Sequence, residues 1–166
     1  MQARLEAQKL SSAAYQATLG LEMYVRKQSK LEPSLIQLVK MRASQINGCA
    51  YCIDMHSKDA RAEGETEQRL YALSAWEETP FFTERERAAL TMTEAITLVS
   101  EDHVPDAVYE RAEESFSEEE LANLAPAIIA ISGWNRLAIT FRWIPGEYQP
   151  KKITEGMRRL RGSEAV

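Results

Sequence analysis

Two cysteines, Cys49 and Cys52, and one histidine, His56, are the residues of this 166-residue chain whose types and spacing carry chemistry. They stand at 0, +3 and +7, which on an α-helix keeps all three within about 60° of one face. Cys52 and His56 are i, i+4 neighbours and can touch. Cys49 follows Asn47-Gly48, a turn signal, so it falls near a helix N-terminus. An ordinary thiol with a pKa near 8.5 is only about 3% ionised at pH 7. A helix N-terminus or a nearby imidazolium lowers that value toward 7 or below. Two such thiols support a redox cycle in which one sulfur attacks an oxidant and the other resolves the sulfenic acid into a disulfide. Other chemistries fit less well. Zinc needs three or four ligands, and His103 is the only further histidine. A c-type haem needs histidine directly after the second cysteine, where Ile53 stands. Two inert buried cysteines are the remaining alternative. No metal or cofactor is therefore expected.

The elements that must position these groups read as helices almost throughout. Ser11 and Ser12 precede a stripe of Tyr15, Leu19 and Met23. Pro33 suits the first turn of a second helix carrying Leu35, Leu38, Val39 and Ile46. A third runs from about Cys49 to Glu63 and stops at Gly64. A fourth holds Leu70, Leu73 and Trp76. Thr83-Glu86 has the form of a capping box and opens a fifth, Pro105 opens a short sixth, and Ser117-Glu120 is a second capping box. The last helix extends to about Trp143, with Pro126 as a possible kink and Pro145-Gly146 as its stop. It is apolar on several sides, which suits the centre of a bundle or a subunit interface. No stretch alternates with period two long enough to be a strand. The expected architecture is an all-α bundle of about seven helices over residues 1–146, followed by a tail over 147–166.

Composition narrows the function. Hydrophobic residues make up 45% of the chain and the formal net charge is -5. That favours a globular core and argues against nonspecific attraction to nucleic acid or an anionic membrane. The basic stretch Lys151 to Arg161 is short and reads as a solvated or subunit-contacting tail. No apolar run in the sequence suggests a bilayer span, and no signal-peptide core follows Met1 to Glu6. A cytoplasmic, reducing location is expected, where a disulfide is more often catalytic than structural.

The run from Ala43 through Cys49, Cys52 and His56 to Arg61 resembles the signature of the carboxymuconolactone decarboxylase and alkylhydroperoxidase D superfamily. Gly64-Glu65-Thr66, Leu70 to Leu73, Glu84 to Leu90 and Trp134-Asn135-Arg136 extend the resemblance over roughly residues 10 to 145. It implies a helical fold assembled as homo-oligomeric trimers or hexamers. It also implies a peroxidase acting on small hydroperoxides and recharged by an external dithiol. Carried over from the alkylhydroperoxidase D branch, Cys52 is the attacking cysteine and Cys49 the resolving one. The helix-terminus argument favours Cys49 instead. Two positions depart from that branch. Gln37 stands where its proton relay has a glutamate, and Tyr51 where it has a histidine. Gln37 is expected to orient His56 or a water, or to lie on a helix surface. Tyr51 is expected to pack, and His103 to be solvated. Lactone decarboxylation is a second reading, although it has no need of a cysteine pair. A redox-sensing oligomer without efficient turnover is a third.

Overall fold

A computed structural model of the chain describes residues 2–150. Among them every regular element is helical: α1 (Ala7–Leu10), α2 (Ser12–Gln28), α3 (Pro33–Ile46), α4 (Ala50–Glu63), α5 (Glu67–Ala72), a 3₁₀ segment (Leu73–Glu78), α6 (Glu84–Thr97), α7 (Val99–Asp102), α8 (Asp106–Glu113) and α9 (Glu118–Phe141). The all-α expectation holds. The two α-helices beyond the expected seven, α1 and α7, are single turns. The fourth helix divides at Ala75, whose φ of -125° is not helical.

Local chemistry accounts for the boundaries. Pro33 fills the first turn of α3, where its missing N–H costs nothing. Thr83 and Ser117 each accept the backbone N–H of Glu86 and Glu120, while those carboxylates return a bond to the cap. Such caps are worth about 1 kcal/mol each. Ser11, by contrast, makes no capping bond to α2. Gly64, at φ +107°, ends α4 in the left-handed region that a side chain disfavours. The last helix ends earlier than expected. Arg142, at φ 53°, turns out of it, and Trp143 N–H bonds back to Ala138 C=O at 3.0 Å. That reversal is of the Schellman type, and it swings Trp143 over the site.

α3 is the hub. It packs on α4, α6 and α9, and Leu35 through Met41 are buried without a break. α9 lies against α2, α3 and α6. It is long and apolar enough to cross a membrane by length and composition alone, so the reading that no run reaches that length is corrected. Nor is it buried all round, since Ile129 and Ile139 are exposed along one side.

Candidate active site

The site is built on the reversal between α3 and α4. Gly48, at φ +66°, turns the chain, and Cys49 N–H closes the turn on Ser44 C=O at 2.9 Å. Cys49 is the N-cap of α4, and its sulfur accepts the Cys52 N–H at 3.4 Å. Both thiols are free, each about 1% exposed, with their sulfurs 2.7 Å apart. Cysteine in the N-cap position thus does what Ser or Asp does elsewhere, satisfying an orphan amide, but with a group that can also be a nucleophile.

The two sulfurs are unequal. The Cys49 pKa is lowered to about 7, chiefly by the thiol of Cys52, which donates to it, and further by the backbone N–H of Cys52, the Asn135 side chain and the Tyr51 N–H. The Cys52 pKa is pushed up, because its proton is engaged by Cys49 and its sulfur is buried. The resting thiolate is therefore on Cys49, as the helix-terminus argument expects.

The antiparallel α3–α4 hairpin carries Gln37 to His56. Gln37 Oε1 lies 3.1 Å from His56 Nδ1, and both side chains are buried. Gln37 is thus not a surface residue. As an acceptor Gln37 Oε1 receives a hydrogen bond from Nδ1–H, which leaves Nε2 as the basic nitrogen. Burial, then the positive charges of Lys40 and Arg26, hold the His56 pKa well below its usual value, so the ring is neutral.

Those cations belong to a cluster that the pattern of the sequence hid. Lys40 is completely buried and bonds Glu22, which also accepts Arg26 Nε at 2.6 Å. Arg26 reaches Asp59 at 3.7 Å, and Tyr148 O–H donates to Asp59 at 2.6 Å. Tyr148 falls within the expected tail, yet it helps line the site; residues 151–166, including the basic stretch, lie outside the described residues. The one local hint is that Lys40 stands directly between Val39 and Met41.

The cysteines pack with Tyr15, Tyr51, Trp134 and Trp143, which line a neighbouring cleft of about 260 Å³ that neither cysteine itself lines. Tyr15, Leu19 and Met23 of α2 form one wall, Tyr51, Met55 and His56 of α4 another, and Trp134 and Trp143 close it. The Tyr15–Leu19–Met23 stripe therefore faces this cleft. Tyr51 packs edge-on to Trp143 with centroids 5.3 Å apart. His103 is exposed and remote from this cleft. Among the described residues no three His, Cys, Asp or Glu side chains are grouped to hold a metal.

Fold and site together define a helical dithiol protein with a buried Cys-x-x-Cys centre. The chain belongs to the carboxymuconolactone decarboxylase family, which it matches over residues 12–95. It is 42% identical to the uncharacterized protein YdfG of Bacillus subtilis (strain 168), over 84% of this chain and 94% of that one. The structure resembles that of ATU0492 from Agrobacterium tumefaciens, a protein of unknown function and a candidate antioxidant defence protein AhpD. The TM-score is 0.85 at 42% identity, covering 89% of this chain and 100% of that one. The debrominase Bmp8 shares the fold alone, at TM-score 0.71 and 23% identity, over 79% of this chain and 70% of that one.

Proposed function

We propose that the protein is an alkylhydroperoxidase-like thiol peroxidase acting on small organic hydroperoxides, with Cys52 attacking and Cys49 resolving. The observation that carries this reading is the pair of free sulfurs 2.7 Å apart at the start of α4, packed with Tyr15, Tyr51, Trp134 and Trp143, which line an aromatic cleft that also holds Glu22, Arg26 and His56. Cys52 shares its helix face with Met55 and His56, which line that cleft. Its proton passes to the Cys49 thiolate. The Cys52 thiolate then attacks the distal peroxide oxygen and the O–O bond breaks. The departing alkoxide takes the proton from Cys49 and leaves as an alcohol. Cys49, again a thiolate, attacks the Cys52 sulfenic acid, forming the disulfide and releasing hydroxide, which solvent protonates to water. An external dithiol returns both thiols by exchange. His56, neutral and held by Gln37, supplies a second proton acceptor beside this path.

The burial of both sulfurs favours a small oxidant over a protein disulfide. Ile129 and Ile139, exposed on α9, support assembly as a homo-oligomer, a trimer or hexamer, which light scattering tests. Peroxide consumption in the presence of a dithiol is expected for the native chain and lost in Cys52→Ser. Mass spectrometry after mild peroxide should show the loss of two hydrogens. Two free thiols after peroxide would remove the reading. The neutral Gln37 in place of a carboxylate favours, as a second reading, a slow redox sensor. Disulfide formation without sustained turnover on dithiol addition is its signature.

A further inference from the structure

The segment that follows α9, residues 143–150, has no helix of its own. Among the described residues, 144–150 make no backbone–backbone hydrogen bond. Side chains of α4 fasten the segment instead. Asp54 Oδ2 accepts the Gly146 N–H at 3.0 Å. Lys58 Nζ, paired with Asp54 at 2.9 Å, donates to Gly146 C=O at 3.3 Å and to Tyr148 C=O at 3.1 Å. Tyr148 O–H donates to Asp59 at 2.6 Å. So fastened, the segment turns two rings inward and leaves Ile144 to Glu147 exposed. Trp143 and Tyr148 line the aromatic cleft, and Trp143 packs on Tyr51 and on the cluster that contains both cysteines. A segment held by a few side-chain bonds at a part-exposed surface opens at a far lower free energy than the helices beneath it.

We propose that residues 143–150 are a strap that gates the dithiol centre, and that its release from Asp54, Lys58 and Asp59 admits the dithiol reductant to the sulfurs. The proposal rests on the reading of the pair as a redox centre. In the exchange a reductant thiolate attacks one sulfur of the Cys49–Cys52 disulfide. A mixed disulfide forms, the internal S–S bond breaks, and the released thiolate takes a proton. The second reductant thiol, deprotonated, then breaks the mixed disulfide. The reductant leaves oxidised to its own disulfide, and both protein thiols are restored. The incoming sulfur must touch a sulfur that is about 1% exposed beneath the packed aromatic rings. No fastening of the strap involves either cysteine, so oxidation of the pair leaves the fastenings in place.

Alkylation of the reduced chain by iodoacetamide, followed against pH, reads the opening without any peroxide. Lys58→Met removes the two bonds to strap carbonyls, and Tyr148→Phe removes the bond to Asp59 while keeping the ring. Each should raise the plateau rate about five-fold, the factor that one hydrogen bond of typical strength represents, with the pH midpoint unchanged. Lys58→Arg keeps a donor and should stay near native. Reduction by dithiothreitol of the disulfide formed with diamide should speed up by a similar factor. In the native chain, alkylation should depend only weakly on urea below the unfolding transition, because a strap exposes little area when it opens. A native plateau rate in folded Lys58→Met and Tyr148→Phe, an equal rise in Lys58→Arg, a change confined to the pH midpoint, or unchanged reduction by dithiothreitol would each overturn the proposal. So would a urea dependence of native alkylation as steep as that of global unfolding, which needs no variant to fold. Failure of the peroxidase reading shows separately, as native protein that forms no disulfide with peroxide.

Discussion

The two ends of the α3–α4 hairpin solve the same problem, a buried reactive group, with opposite means. Around the sulfurs the partners are neutral: a backbone N–H from the first turn of α4, the Cys52 thiol and the Asn135 amide. Around His56 the nearby groups are charged, Lys40, Glu22, Arg26 and Asp59, while Gln37 holds the ring by a hydrogen bond. The neutral shell lets a thiolate form near pH 7 without a counter-charge to pin it to one sulfur. The charged shell balances its own charges in ion pairs, and burial, reinforced by its cations, keeps the ring from taking a proton. The difference shows that the hairpin holds a dithiol that is readily ionised and a histidine that is not. An ion pair between thiolate and imidazolium is therefore not the resting form here.

The comparison breaks most completely at the sulfurs. Cys49→Ser should form no intramolecular disulfide and should leave Cys52 trapped as a sulfenic acid, detected by dimedone labelling after one equivalent of hydroperoxide. Because the variant lacks the Cys49 thiolate that takes the Cys52 proton, labelling should need higher pH; no label on Cys52, the one thiol left, even at alkaline pH would put the attack on Cys49. Lys40→Met strikes the charged end. Breaking a buried ion pair by removing one partner costs about 3–5 kcal/mol. The native partner Arg26 remains on Glu22 and should bring the loss toward the lower figure, read from urea unfolding. A Lys40→Met, Glu22→Gln double variant should recover part of it. If the double variant is less stable than the single, Glu22 and Lys40 are not the pair that matters.

A smaller effect follows from the buried neutral histidine. Its folded pKa lies below its unfolded value near 6.5, so the unfolded chain binds the extra proton as pH falls. Its stabilising contribution is full above pH 6.5 and is lost below, by up to about 1.4 kcal/mol per pH unit until the folded pKa is reached. Urea midpoints between pH 7 and 5 should fall more steeply in the native chain than in His56→Asn. Parallel slopes would mean that another group governs acid sensitivity. The smallest change sharpens the contrast by moving charge onto the ring. Gln37→Glu should raise the His56 pKa and increase hydroperoxide reactivity near neutral pH. The gain should fall well short of the 10²–10⁴-fold typical of general-base catalysis, roughly a few-fold, because Lys40 and Arg26 oppose it. An unchanged or lower rate with the fold intact would make Gln37 a structural acceptor only.

Much of this was legible in the residues alone. Period and punctuation located α3, α4, α6 and α9, because Pro33, Gly64, Thr83-Glu86 and Ser117-Glu120 act through their own backbone and nearest neighbours. The Cys49–Cys52 proximity and its place at a helix start are equally local, set by i, i+3 spacing and one turn. Gln37 beside His56 was inferable from a resemblance, with the short Asn47-Gly48 connection making the antiparallel return. What the tertiary structure alone decided is charge. The residues alone left the charge of His56 open, and the ring is neutral because packing buries it away from water and brings Lys40 and Arg26 to it from α3 and α2. The ion pair of Lys40 could not be recognised from its own segment, because its partner Glu22 lies eighteen residues away on another helix. Asn135 reaches Ser44 across 91 residues, and Trp143 closes the cleft only because Arg142 takes a left-handed turn. Helix boundaries depend on neighbours along the chain. Protonation depends on solvation and on charges gathered from distant segments, and those exist only once the helices have packed.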